Sequence, residues 1–376
     1  MSNIHILEDG IINKIAAGEI VDRPAHVVKE LVENSLDAGA RSIDLELDQG
    51  GKEKISVIDD GVGISQEDLP LAVKRHATSK ISTEEDLFNI SSLGFRGEAL
   101  ASISSVSRFK LKTCEQKTKS SYQLEFAENG LYKLNACSHL KGTCVKVEDL
   151  FYNLPVRKKF LKSSQAEFAH CYEYMQALAL ARPFLGFSVT HNGREKLKVA
   201  AEEIDHPGNA LYGQDVLKKR AVDVLGDTSG AKDFLYIKNS NSYLSFEAII
   251  SPPGFEKSSS KFMFFFVNGR WVKDKLIRYG FLRGYHSHLL KGQYPQVICH
   301  ISIDPSLVDV NVHPSKTELR LQYAAEIQTL ISQTVREKIR SAAWLHSLVI
   351  VFNALGLQRL LQWLMQVLVA QQEQSS

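Results

Sequence analysis

Apolar and polar positions follow two different periods along this chain, and the change from one to the other marks its first elements. From Pro24 to Ala38 the apolar residues Val28, Leu31, Val32 and Leu36 recur at helical spacing. Pro24 sits where a first helical turn tolerates proline, and Gly39 supplies a stop, so the pattern predicts a four-turn helix. Ser42 to Leu47 then alternates apolar and polar, Gly50-Gly51 turns, and Lys54 to Asp59 runs as a second strand into Asp60-Gly61-Val62-Gly63. Leu71 to Leu93 has no sustained period and reads as a mobile connection of about twenty residues, a length that is usually functional. Glu98 to Ser104 begins another helix. Strands follow at Arg108 to Thr113, Ser121 to Phe126 and Thr143 to Val147, then a long helix from about Ala166 to Ala181 that ends before Pro183.

Between Ala200 and Gly230, Pro207, Gly208, Gly213, Gly226 and Gly230 lie among polar residues, the composition of a domain boundary. A second unit then carries strands at Phe234 to Ile237, Leu244 to Ile250, Phe262 to Val267 and Val297 to Ile303. Its helices are expected from about Lys273 to Leu289 and from Ala325 to Ile339. The fold class expected is α+β in two domains, residues 1–210 and 211–341, followed by an apolar tail over 342–376. No fixed-period repeat supports a solenoid or propeller.

Composition narrows the classes further. Of 376 residues, 44% are hydrophobic and 23% charged, which excludes fibrous and wholly disordered chains. The net charge is +2, so attraction for nucleic acid must come from local clustering. Five scattered cysteines with no C-x-x-C pair argue against a disulfide framework and a zinc site and fit a reducing cytoplasm. Met1 to Gly10 includes Glu8 and Asp9 and no basic-then-apolar run, so no secretory signal is expected.

Candidate chemistry gathers at four places. Glu30, Asn34 and Asp37, at i, i+4 and i+7, form one stripe on the first helix; alone, such a stripe is by default a solvated face. Asp59-Asp60-Gly61-Val62-Gly63 ends a strand with a carboxylate and two glycines, either a plain tight turn or a place where a flat ligand approaches the backbone. Gly94-Phe95-Arg96-Gly97-Glu98 opens a helix, where backbone N–H groups can cradle phosphate oxygens. Gly142-Thr143 begins a strand. No G-x-x-x-x-G-K-[ST] run exists, which excludes a P-loop.

Glu30 to Ala38 (ELVENSLDA), Asp59 to Gly63, Gly94 to Leu100 (GFRGEAL) and Gly142-Thr143 resemble, in order, the four motifs of the GHKL ATPases. Within that superfamily, Ala16 to Val21 (AAGEIV), Leu150 to Leu161, Val267 to Arg270 (VNGR) and Val312 to Lys316 (VHPSK) resemble the MutL family of DNA mismatch repair ATPases, over roughly residues 1 to 340. The resemblance implies a GHKL (Bergerat) α/β sandwich followed by an α/β domain of the ribosomal-protein-like βαβ type. It implies ATP and Mg²⁺ as cofactors. Glu30 would be the general base that activates water, and Asn34 would hold Mg²⁺ through a hard amide oxygen. Asp59 would accept from the exocyclic amine of adenine, which selects ATP over GTP because guanine presents a carbonyl there. Asp37, Gly61, Gly63 and Thr143 would complete the nucleotide site. Thr78, Ser79, Lys80, Leu93, Gly94, Phe95, Arg96 and Gly97 would form a lid over the phosphates. Lys316 would reach the γ-phosphate from the second domain.

From Lys257 to Lys291, eight basic residues face Asp274 as the lone acid, and Arg270, Lys273, Lys275 and Arg278 are the expected DNA contacts. The interleaved aromatics, Phe264 to Phe266, Trp271, Tyr279 and Tyr285, are read as core, and the basic cluster Arg157, Lys158, Lys159 and Lys162 as solvated surface. Alternate residues on a helix point apart, so His286-Ser287-His288 is read as structural or surface and no transition metal is assigned. The partners implied are double- and single-stranded DNA, a MutS-type mismatch-recognition protein, a downstream nuclease or helicase, and a second copy in an ATP-dependent homodimer. Cytoplasmic, nucleoid-associated localisation and no endonuclease activity are expected. Between Arg340 and Arg359 the tail has 18 uncharged residues, but His346, Asn353, Gly356 and Gln358 favour an amphipathic or loosely ordered helix over a membrane span. Two alternatives stay open: another GHKL enzyme such as a topoisomerase subunit, and a nucleotide-binding scaffold without useful turnover.

Overall fold

The computed structural model describes residues 21–80, 97–126, 131–139, 141–203, 211–226, 230–309 and 319–342. The chain divides into two compact units, Met1–Pro207 with Asp223–Leu225, and Gly208–Val222 with Gly226–Ser376.

The first unit is an eight-stranded mixed sheet with helices packed on it. Its strands are β1 (Ser42–Asp48), β2 (Lys54–Asp59), β3 (Arg108–Cys114), β4 (Ser121–Phe126), β5 (Tyr132–Ala136), β6 (Gly142–Glu148), β7 (Gly186–His191) and β8 (Arg194–Val199), in the order β5-β4-β3-β6-β2-β1-β7-β8. The β1–β7 pair is parallel and the other pairs are antiparallel. The helices are α1 (Pro24–Asp37), α2 (Leu69–Ala72), α3 (Ala99–Ser105), α4 (Pro155–Phe160) and α5 (Ser164–Ala181). Pro24 occupies the first turn of α1, and Val27, Val28, Leu31 and Val32 are buried where α1 packs against α5, α3 and β2. Ser163 caps α5, its Oγ accepting from the Ala166 amide at 3.3 Å.

Three strands that the alternation did not signal complete this sheet. All but one of the residues of β5 are exposed, so no period marks it. The β7–β8 hairpin gains its place through β7 pairing with β1, more than 140 residues away, which local pattern cannot register. The glycine-rich stretch read as a boundary also contains a helix, α6 (Gln214–Leu225). Gly213 (φ +86) and Gly226 (φ +81) stand at its two ends, so two of the breakers are its caps.

The second unit is a five-stranded sheet in the order β12-β11-β13-β10-β9, formed by β9 (Leu235–Ser240), β10 (Leu244–Ile250), β11 (Met263–Val267), β12 (Arg270–Val272) and β13 (Val297–Ile303). The β11–β13 pair is parallel. Helix α7 (Lys275–Tyr285) and helix α8 (324–342) supply Ile277, Phe281, Tyr285, Ile327, Ile331, Val335 and Ile339 to the core over Phe246, Phe265 and Ile301. Asp274 caps α7, accepting from the Ile277 amide at 2.8 Å. The lone acid of the basic segment is therefore buried as a cap and is not a neutralising surface charge. Expected to run from 273 to 289, the helix stops at Tyr285 and continues as a 3₁₀ turn, His286–His288. A short pair, β14 (Val308–Asp309) and β15 (Arg320–Leu321), is also present. Among the described residues no helix is long and apolar enough to cross a membrane, and the tail beyond 342 lies outside them.

Candidate nucleotide-binding site

The C-terminal end of β2 delivers Asp59 beneath α1. Its carboxylate is fully oriented: Ser35 Oγ of α1 donates to Oδ2 at 2.8 Å, and the Gly61 and Thr143 amides donate to Oδ1 at 2.9 and 3.2 Å. A carboxylate has about four lone-pair sites. The three contacts leave Oδ2 able to accept once more. Burial pushes the Asp59 carboxyl above the ordinary carboxylate range, while the bonds from Ser35, Gly61 and Thr143 oppose that rise. Beneath it lies a pair of threonines: Thr113 Oγ1 meets Thr143 Oγ1 at 3.2 Å and accepts from the Ile64 amide at 2.9 Å.

The sequence left the glycines of this turn open between a plain tight turn and the close approach of a ligand; the space that the missing Cβ atoms of Gly61 and Gly63 leave is taken by protein backbone. A Cβ on Gly61 would lie 2.8 Å from the Ala38 carbonyl oxygen, and one on Gly63 (φ +74) 2.1 Å from that of Cys114. At Gly142 (φ +70) it would lie 2.0 Å from the carbonyl oxygen of Asp59 itself. These residues let three chain segments converge on one carboxylate.

Along α1, Glu30, Asn34 and Asp37 are all half-buried. The ammonium of Lys80 binds two of them, donating to Asn34 Oδ1 at 2.9 Å and Asp37 Oδ2 at 2.5 Å. Tyr174 of α5 lies beside the acidic face; burial, reinforced by Glu33 and Glu30, pushes its phenol well up. Thr78 and Ser79 are exposed, and Thr78 Oγ1 accepts from the Lys80 amide at 3.2 Å. Gly97 (φ +63) closes against this segment: the His76 amide donates to its carbonyl at 3.1 Å, and a Cβ would lie 2.4 Å from the Ala77 carbonyl oxygen. Leu93, Gly94, Phe95, Arg96 and Lys316 lie outside the described residues.

Sequence reasoning missed Ser35, Thr113 and Tyr174. Only Ser35 carried a signal: a serine next to Asn34 turns toward the apolar side of the same helix. In the second unit Arg270 and Arg278 are half-buried and Lys273 and Lys275 exposed, with the Lys273 ammonium 4.6 Å from the Trp271 ring centre. Phe264, Phe265, Phe266 and Tyr285 are core as expected, whereas Tyr279 is 58% exposed. Among the described residues no group of three or more His, Cys, Asp or Glu side chains could hold a metal ion.

The mixed sheet with its packed helices has the fold of the GHKL ATPase class. The family model described as "Histidine kinase-, DNA gyrase B-, and HSP90-like ATPase" matches residues 22–137, and that described as "DNA mismatch repair protein, C-terminal domain" matches 222–340. MutL of Trichlorobacter lovleyi is 41% identical over 91% of this chain and 56% of its own length; MutL of Streptococcus pyogenes serotype M12 is 40% identical over 90% and 50%. Among solved structures, the N-terminal domain of a DNA repair protein superposes with TM-score 0.70 at 26% identity, covering 88% of this chain and 98% of the other. The Aquifex aeolicus MutL ATPase domain complexed with ADP gives TM-score 0.58 at 26% identity over 84% and 98%. The chain belongs to the MutL family, and it spans about half the length of the curated relatives it matches.

Proposed function

We propose that this chain is an ATP-driven switch of DNA mismatch repair, with a GHKL ATPase domain over residues 1–210 and a transducer and DNA-binding domain over 211–341. The observation that carries the reading is Asp59, held by three protein donors with accepting capacity left on Oδ2, below the Glu30–Asn34–Asp37 stripe. Asp59 accepts from the adenine amine, and Thr143 supports the same edge. Glu30 takes the proton of the attacking water. Asn34 is the Mg²⁺ ligand; its Oδ1 already accepts a cation, the Lys80 ammonium, which supports a hard-cation role. When bound, the metal would neutralise charge on the phosphates. Lys80, Thr78, Ser79 and the run from Leu93 to Gly97 close over the phosphates, and Lys316 senses the γ-phosphate.

Nucleotide-dependent pairing of two copies, DNA contact through Arg270, Lys273, Lys275 and Arg278, a MutS-type partner and a downstream nuclease or helicase complete the proposal, with no endonuclease step in this chain. Cytoplasmic, nucleoid-associated localisation belongs to the same reading. Phosphate release measured at several protein concentrations tests it. A rate that rises more steeply than first order, and that Glu30→Ala abolishes while ATP binding persists, is the expected result. No release at any concentration would leave a nucleotide-binding scaffold, and unchanged turnover in Glu30→Ala would remove Glu30 from its role.

A further inference from the structure

The His286-Ser287-His288 segment, set aside as structural or surface on sequence grounds, contributes both histidines to the lining of a cavity in the second unit. Because the chain leaves α7 through a 3₁₀ turn, His286 and His288 border the same cavity of about 260 Å³, completed by Gly284, Arg336, Ile339 and Arg340. Arg336 and Arg340 are one turn apart on α8. Their approach depends on two glycines of α7: a Cβ on Gly284 would lie 2.5 Å from Val335 Cβ, and one on Gly280 3.3 Å from the Gln328 carbonyl oxygen. All four basic side chains are exposed, and no carboxylate lines the cavity or pairs with any of them among the described residues.

We propose that this cavity holds a backbone phosphate of DNA, a second anchor remote in sequence from Arg270 to Arg278. Two guanidinium forks offer bidentate donors, and each imidazole can add an N–H. An elongated polyanion fits better than a compact one. Lys275, Tyr279 and Arg283 are exposed at successive helical turns along α7, a track about 12 Å long at ~1.5 Å per residue, and the exposed His286 of the following 3₁₀ turn carries it to the cavity. Two exposed arginines on a helix are ordinarily solvated surface charges. That role does not require two guanidinium groups and two imidazoles to border one cavity, where the guanidinium charges repel each other until an anion enters.

The inference rests on the reading that this unit engages DNA, and the test separates the two. Anisotropy of a labelled duplex is measured over a salt series with the full chain, Arg336→Gln/Arg340→Gln, Arg336→Lys/Arg340→Lys and Lys273→Gln/Lys275→Gln. The double Gln variant at 336 and 340 should bind roughly tenfold more weakly, with a log–log salt slope shallower by about 0.9 for the one phosphate lost. The Lys variant should recover the slope but not the full affinity, because the fork is gone. Unchanged binding with a lowered melting temperature would overturn the proposal in favour of a purely structural role. Pyrophosphate binding that depends on Arg336 and Arg340, with duplex binding unaffected, would overturn it in favour of a small anion. Duplex binding weakened only by Lys273→Gln/Lys275→Gln would remove this site alone, whereas a wild-type chain that binds no duplex would remove the DNA reading itself.

Discussion

Replacing Asp59 by asparagine isolates base recognition, because an amide can keep every protein contact of the carboxylate. The asparagine oxygen stays with the Gly61 and Thr143 amides, and its NH₂ turns to Ser35, whose hydroxyl can accept it while donating to the Leu31 carbonyl at 3.2 Å. A buried charge disappears at the same time. Burial raises the folded pKa of Asp59, so folding favours its protonated form. Stability therefore falls as pH rises from the ordinary carboxylate value through the raised one, and stays lower above it. Asp59→Asn escapes that loss and should melt no lower than wild type at pH 7. Adenine's amine, however, would meet a donor where it met a carboxylate. Losing a hydrogen bond to a charged acceptor costs about 1.5–3 kcal/mol, roughly 10- to 150-fold in Kd. GTP, whose carbonyl would face the new donor, should gain relative to ATP. Calorimetric titration of both nucleotides reads the two effects. A folded Asp59→Asn chain that keeps wild-type ATP affinity would refute the assignment of Asp59 to the base.

Two further substitutions test how the site is held. Gly142→Ala should cost about 2 kcal/mol or more and abolish ATP binding, because the new Cβ meets the Asp59 carbonyl and the backbone is left-handed there. Gly39→Ala, at φ +71 with nothing within 4 Å, should cost only about 1 kcal/mol in urea unfolding and leave binding intact; equal effects at the two positions would contradict the close-approach argument. Asp60 accepts from the Arg41 and Ser42 amides at 2.6 and 2.9 Å and from Lys141 Nζ at 3.3 Å. Burial pushes its pKa up, but these bonds win and hold it below the ordinary carboxylate value. Asp60→Asn should therefore lose about 1 kcal/mol at neutral pH. That deficit should disappear as pH falls through the lowered folded value, and a pH-independent deficit would exclude the electrostatic origin.

The first helix and hairpin were legible because their punctuation is local: Pro24, Gly39 and the Gly50-Gly51 turn frame patterns of unmistakable period. The stripe Glu30–Asn34–Asp37 was legible for the same reason, since helical spacing alone places it on one face. What held Asp59 was not. Ser35 is 24 residues away on α1, and Thr143, 84 residues away, is brought alongside by the pairing of β2 with β6. Gly61 and Gly63 announced a close approach but not what approaches, because a missing side chain marks a space without naming its occupant. In the second unit the expected α7 ran past Tyr285 because nothing in the apolar period records the switch to a 3₁₀ turn. That switch is also what brings both histidines to one cavity.

The contact of Lys80 with Asn34 and Asp37 gives the resting site its own counter-ion. A divalent ion arriving alone would have to evict an amine that has nowhere comparable to go. Arriving together with a polyphosphate, it brings the amine a new negative partner, and the exchange becomes close to balanced. On the proposed reading, the site would act as a coincidence detector, answering to metal and nucleotide jointly and hardly at all to the metal by itself.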